Sequence, residues 1–385
     1  MRPRAHGPAR GRLRHGRRAA SRRCARGGRL PRRDGRGRRD PTARPVTGEA
    51  ESLVSPSAVD YGSRVSDHDN EHDSDITVRP APPGHRTGFV GIIGRPNVGK
   101  STLLNRLVGE HIAIATPKPQ TTRDRIRGIR TFADWQVIFV DTPGIHEART
   151  RLNRYMVDLA FSTLDDVDVA YLLVDVPSYL EKPERRREEI ERIAQKLAEH
   201  GTKALLVLNK IDKVKDKAQL LTIIEALAAV HGFEAFLPVS ARTGEGTDTL
   251  LAETRARLPE GPPLFDADEL TDRPLRFIVK ELIREPLIMQ LGQELPYNAA
   301  VHVDHWAEGE RGGLVIHATI VVNKKSHKPI VVGKGGARIK AIGQAARERI
   351  ERYLERKMFL DLRVKVDEDW IERPASLKEL GYDEK

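Results

Sequence analysis

The chain of 385 residues has a single cysteine, Cys24, so no disulfide can form within it and a reducing compartment is the simpler expectation. Aromatic residues are only 5% of the total, which argues against a large all-β core. No apolar run approaches the roughly 18 residues needed to span a bilayer. The N-terminus also lacks the apolar segment of a secretory signal. A soluble, intracellular protein with roughly two or three domains is expected.

Lysine is absent from the first 44 residues, which hold 17 arginines against only Asp34 and Asp40, a net charge of +15. The whole chain is +11, so the stretch beyond Arg44 is net negative and the basic balance belongs to one end. Residues 1–82 read as a disordered extension, Arg-rich at first and acidic from Thr47 to Thr77, with too few apolar residues to offset the entropy of ordering. Three readings stay open for it: an RNA-contacting arm, an organellar transit peptide, or translation from a misassigned start. The arginines lack amphipathic periodicity, which counts against the transit peptide.

What is present begins with Gly94-Arg95-Pro96-Asn97-Val98-Gly99-Lys100-Ser101, which satisfies the phosphate-loop pattern G-x-x-x-x-G-K-[ST]. The apolar run Phe89 to Ile93 before it reads as a strand, and Thr102 to Leu107 after it as the start of a helix. In that setting backbone N–H groups wrap phosphates, Lys100 adds a positive charge and the Ser101 hydroxyl can hold magnesium. The bland alternative is a glycine-rich turn that binds nothing. After an irregular stretch from His111 to Arg123, residues 126–132 and 135–140 read as a hairpin that sets Asp141 at a strand's end. Strand and helix patterns then alternate to Leu258, predicting a doubly wound, mostly parallel sheet with one antiparallel hairpin strand over residues 83–258.

Three further segments fall where a triphosphate site needs them. Asp141-Thr142-Pro143-Gly144 can offer a carboxylate to magnesium and the Gly144 N–H to a γ-phosphate; a tight turn is the alternative. Asn209-Lys210-Ile211-Asp212 follows a strand, and the Asp212 carboxylate can accept both N1–H and the exocyclic amine of guanine, a donor pair adenine lacks. Lys210 can lie along the base and Asn209 can tie loops together; a helix N-cap is the alternative. Ser240-Ala241-Arg242 offers a backbone N–H to the guanine oxygen, a weak signal alone.

Residues 259–273, rich in proline and acids, read as a linker. Residues 274–368 then follow the order αββααβ, leaving 369–385 as a tail. Between an apolar run from Ile330 and the next helix lies Gly333-Lys334-Gly335-Gly336, a G-x-x-G loop of the kind that brings backbone close to nucleotides; a helix-entry turn is the alternative. Arg338 and Lys340, with Lys324, Lys325 and Lys328, surround it with positive charge, the sequence-independent term of RNA binding.

The four nucleotide segments in this order resemble the translation-factor class of P-loop GTPases, and the αββααβ unit resembles a type II KH domain. Together, with Lys118 to Arg123, they are similar to the Era family of ribosome-assembly GTPases over about Thr87 to Glu368. That resemblance implies GTP and GDP as ligands, Mg2+ as cofactor, the 3′ end of small-subunit ribosomal RNA and the small subunit as partners, and a monomer in the cytoplasm with peripheral contact at the cell membrane. It implies that Thr122 closes on magnesium with Ser101 and Asp141, with Thr121 as the alternative. Lys100, Thr122, Asp141 and Gly144 would then carry catalysis. Ile145 stands where Ras-like enzymes carry the glutamine that orients water, which implies slow intrinsic hydrolysis. Asn97 stands where some related GTPases hold K+; a loop-shaping asparagine is the alternative. An RNA-binding scaffold with negligible turnover is the competing function, and an ATPase or kinase is disfavoured by Asp212.

Overall fold

The computed structural model describes residues 82–116, 118, 121–145, 150–292, 295–309 and 313–382. The extension up to residue 81, with every reading attached to it, lies outside these residues, as do Pro117, Pro119, Gln120 and the segment 146–149.

The first half builds β1 (Arg86–Gly94), α1 (Lys100–Val108), β2 (Ile126–Thr131), β3 (Trp135–Asp141), α2 (Arg151–Ser162), β4 (Val169–Asp175), α3 (Val176–Glu181), α4 (Pro183–His200), β5 (Lys203–Asn209), α5 (Gln219–Ala228), β6 (Ala235–Pro238) and α6 (Thr247–Arg257). The sheet order is β2-β3-β1-β4-β5-β6. All pairs are parallel except β2 with β3, the expected hairpin. β4 and β5 read as unbroken apolar runs because both faces are covered: Tyr171, Leu173, Leu205 and Val207 pack on one side, Leu172, Val174, Leu206 and Leu208 on the other. Strand order reverses beside β1, and the phosphate loop and the segments after β3 and β5 gather at the C-terminal edge, where open α/β sheets bind ligands.

Residues 259–273 are strapped to this domain. Gln136, wholly buried, accepts the Leu264 and Phe265 N–H groups (2.7 and 3.0 Å) and donates to the Phe265 carbonyl (2.8 Å). Ile129 N–H bonds the Leu270 carbonyl at 2.9 Å.

The second half builds α7 (Leu275–Gln290), β7 (Ala299–Glu308), β8 (Leu314–Val322), α8 (His327–Val332), α9 (Ala337–Tyr353), β9 (Met358–Val366) and α10 (Pro374–Glu379). β7 and β8 pair antiparallel and β8 and β9 parallel, giving the αββααβ order. Helices α7, α8 and α9 cover one face through Ile283, Val331, Ile342, Ala346 and Ile350, against Ile316, Ala318 and Ile320. The apolar run at Ile330 is helical in α8, since alternate burial fails there while Val331 faces the core.

The stretch read as a tail is folded as far as residue 382. Trp370, Leu377, Leu380 and Tyr382 are buried with Leu152 and Met156 of α2 and with Ala300 and Val321. Its sparse apolar residues showed no period because they insert one by one between two domains.

Candidate functional site: a nucleotide cleft and an RNA-type loop

The phosphate loop leaves β1 at Gly94 and enters α1 at Lys100. Lys100 is buried, and its ammonium donates to the Gly94 and Arg95 carbonyls at 3.2 and 3.1 Å. Burial lowers its pKa to about 8, with Asp141 opposing. Its charge is thus held inside the loop by the loop's own carbonyls.

At the head of α1, Ser101 Oγ donates to Asp141 Oδ2 at 2.7 Å and lies 2.9 Å from Thr122 Oγ1, itself 3.2 Å from the same carboxylate oxygen. Three hard oxygen donors from three segments therefore converge. Asp141 is wholly buried, and its Oδ1 has no hydrogen-bond partner among the described residues. Burial pushes its pKa up, countered by Lys100 and by the two hydroxyls. A buried carboxylate with an unmet oxygen and two aligned hydroxyls fits a small hard cation such as Mg2+. Thr121 faces elsewhere: its hydroxyl is 2.9 Å from Thr116 Oγ1 and donates to the Lys118 carbonyl at 2.8 Å.

Thr142 Oγ1 donates to the Ile92 carbonyl at 2.9 Å, fixing the turn after β3. Pro143 and Gly144 are buried, and a Cβ on Gly144 would sit 2.8 Å from the Pro96 backbone, so only glycine admits this approach to the phosphate loop. Ile145 N–H bonds the Gly94 carbonyl at 3.1 Å while its side chain packs on the core under β4.

At the far end, Asn209 donates to the Val98 carbonyl at 2.7 Å and accepts the Lys210 and Ala241 N–H groups at 2.8 and 3.0 Å. It ties the phosphate loop to the loop after β6. Lys210 has φ +68°, and its ammonium bridges the Asn97 carbonyl (2.5 Å) and Asp175 Oδ2 (2.6 Å). Ile211 is buried beneath it. Asp212 accepts Ser240 Oγ at 2.8 Å and Arg242 Nη2 at 2.5 Å. Burial raises its pKa, but these two bonds outweigh it and the net direction is down.

The structure thus brings the four nucleotide segments singled out from sequence, with Thr122, to one edge of the sheet. It adds Asp175 and Asn105, which sequence reasoning missed. Asn105 binds the Ile112 and Ala113 amides at 3.1 and 3.0 Å and, with Ile112 and Ile114 buried, pins part of the stretch that read as irregular. An Asp ending an apolar strand was the only available sign of Asp175. A roomier cavity near 1000 Å³, lined by Asp165, His200 and Arg257 among others, lies at the opposite strand ends and gathers none of these segments.

In the second domain the loop between α8 and α9 holds Gly335 and Gly336 at φ +58° and +81°, conformations glycine adopts without strain. Lys334, Gly335, Arg338 and Lys340 are exposed, and Arg338 Nη1 donates to the Ile330 carbonyl at 2.6 Å across the turn. Ile330 is itself 44% exposed, so an apolar side chain stands beside the cations.

Two family models match: a 50S ribosome-binding GTPase over residues 89–210 and a KH domain over 294–371. A GTPase Era from Trichlorobacter lovleyi is 48% identical over 299 residues, 78% of this chain and 98% of its own. The chain belongs to the GTPase Era family. An Era-family relative from Geobacter metallireducens is 49% identical over 298 residues, covering 77% of this chain and 98% of its own. Among solved structures, Era in complex with MgGDPNP and nucleotides 1506–1542 of 16S ribosomal RNA matches with a TM-score of 0.74 and 37% identity, over 78% of this chain and all of that one. A variant of Aquifex aeolicus Era bound to GDP and AlF4- matches at 0.73 with the same identity and the same coverage. GTP hydrolysis is the chemistry of this Era-family chain, and the family expected from its motifs is the one found.

Proposed function

We propose that the chain is a GTP-driven switch that binds the 3′ end of small-subunit ribosomal RNA through its second domain and assists maturation of the small subunit. The observation that carries this reading is the convergence of Ser101, Thr122 and Asp141 in a chain whose other half is a KH domain. Its likeness to a relative solved with 16S RNA directs the choice to the small subunit.

GTP would lie across the C-terminal edge of the sheet. The phosphate-loop amides and Lys100 hold its phosphates, and the Gly144 N–H meets the γ-phosphate. Ser101, Thr122 and Asp141, the last through water, are the groups we assign to Mg2+. When bound there, Mg2+ would neutralise negative charge that develops on the phosphates. Guanine takes over the Asp212 carboxylate from the Arg242 guanidinium, whose side chain is 70% exposed and free to swing aside. Ile145 has no group to orient water, so hydrolysis proceeds slowly unless a cation or partner helps. Asn97, exposed at the rim, is the residue we assign to K+; the aid is absent if the rate in KCl equals that in NaCl.

The groups we assign to the phosphates, to Mg2+ and to guanine all come from one chain, which supports action as a monomer. No helix among the described residues is long and apolar enough to cross a membrane, so the contact we propose from the cytoplasmic side is peripheral. The test is multiple-turnover phosphate release from GTP, with and without RNA ending in the 16S 3′ sequence. Turnover that RNA changes is expected; negligible turnover in both would favour the scaffold reading.

A further inference from the structure

We propose that Thr122 is positioned from the second domain, by Arg284 acting through the Thr121 carbonyl and by Arg123 anchored in the second domain's backbone. The inference rests on Thr122 being a metal ligand.

Arg284 of α7 is 1% exposed. Its guanidinium meets Glu281 through Nε at 2.9 Å and Nη2 at 2.5 Å, and Nη2 also donates to the Thr121 carbonyl. That carbonyl belongs to the peptide plane that ends in the Thr122 nitrogen, so fixing it fixes the entry to Thr122. Charge-balanced by Glu281, Arg284 can afford burial without a further anion.

On the other side of Thr122, Arg123 is 2% exposed. It donates to the carbonyls of Ala299 (2.9 Å), Pro296 (3.0 Å) and Tyr297 (3.2 Å). Its guanidinium carbon lies 5.8 Å from the ring centres of both Trp370 and Tyr382. A planar fork serving three carbonyls beside two stacked rings is a geometry that lysine cannot reproduce. Earlier in the same stretch, the Lys118 ammonium reaches the carbonyls of Ile288, Met289 and Leu291 at the C-terminal end of α7, where a cation is favoured.

The segment carrying Thr122 is therefore gripped before, beside and after by the second domain, while the Thr122 hydroxyl points to Ser101 and Asp141. Arg123 and Arg284 are positioning residues: neither touches the metal donors, yet both set where one of them stands. Displacing the second domain weakens the metal site.

The full chain tests this with Arg123→Lys, Arg284→Lys and Thr122→Ala, each alone and with Thr122→Ala added to each arginine variant. The readouts are the Mg2+ concentration for half-maximal hydrolysis and the affinity for GDP. We expect each single variant to raise the Mg2+ requirement by about tenfold with GDP affinity changed less than about twofold, and the arginine changes to add nothing once Thr122 is alanine. If Thr122→Ala leaves the Mg2+ requirement unchanged, the metal-ligand reading fails and this inference with it. If Thr122→Ala acts but the arginine variants do not, or act undiminished in its background, the inference alone is overturned. Should an arginine variant not fold, hydrogen exchange of the wild type decides. Amides of 121–124 protected together with those of 296–299 and 370–382 support the grip; independent, faster exchange of 121–124 overturns it.

Discussion

The phosphate loop and the loop at Gly333 to Gly336 are both glycine-rich, both precede a helix, and both suit phosphate groups, yet their surroundings are opposite. Around the first, Lys100 and Asp141 are buried, Asn209 stitches it to the loop after β6, and the phosphate loop, residues 114–116, Thr121 with Thr122, and Gly144 line one small cleft. Around the second, Lys334, Gly335, Arg338 and Lys340 stand in solvent. An enclosed site reads its ligand through a few costly, exact contacts. An open loop reads a polyanion through backbone approach and screened charge, so its selectivity comes from whatever single-stranded bases fit beside it.

Breaking the enclosed loop should give the largest effect. Lys100→Ala removes the buried lysine of the phosphate loop, and phosphate-release assays should show hydrolysis reduced by about 10³-fold or more, with RNA affinity of the nucleotide-free protein unchanged. Asp212→Asn should come next. It places an amide donor where guanine offers donors, so GTP affinity should fall by about 10²-fold or more in competition binding, while xanthosine triphosphate binds better than it does to the wild type. If the preference for guanine survives, Asp212 does not read the base.

Smaller effects are expected from the open loop. Gly335→Asp sets an anion where RNA phosphates approach, and filter binding should show RNA affinity down by about tenfold with GTP hydrolysis in the absence of RNA intact. Unchanged affinity would mean that the loop does not face the backbone. Smallest of all, Lys340→Ala should lower affinity uniformly across RNA sequences and reduce the salt-dependence slope by about one. A sequence-selective loss would instead mark Lys340 as a base reader and would blur the contrast between the loops.

The two loops also differ in how they could be read beforehand. Gly94 to Ser101 announces itself, because eight positions in a fixed pattern between an apolar run and a helix leave little else for the backbone to do. Gly333 to Gly336 specifies only two glycines, and what raised it above a turn was the αββααβ order and the cluster of lysines. Sheet topology was legible for a related reason: β4 and β5 are unbroken apolar runs, and the β2–β3 hairpin is marked by two strands separated by a short polar turn. The fold of residues 369–382 was not legible, since Trp370, Leu377, Leu380 and Tyr382 have neither a helical nor a strand period that points to a surface of their own.

What the sequence determined by itself was the placing of contiguous residues that we assign chemistry to: a phosphate loop, a carboxylate at a strand's end, an aspartate proposed to read the base, a glycine loop proposed to meet nucleic acid. Their periods and spacings are local, and local geometry suffices to aim them. Which of the neighbours Thr121 and Thr122 turns its hydroxyl to Ser101 and Asp141 is decided in the tertiary structure. The two are chemically identical, and the choice is made by Arg284 and Arg123, one of them 163 residues distant from the carbonyl it holds. Contacts across such separations leave no periodic trace in a chain, because each partner need only be in place once both domains have folded.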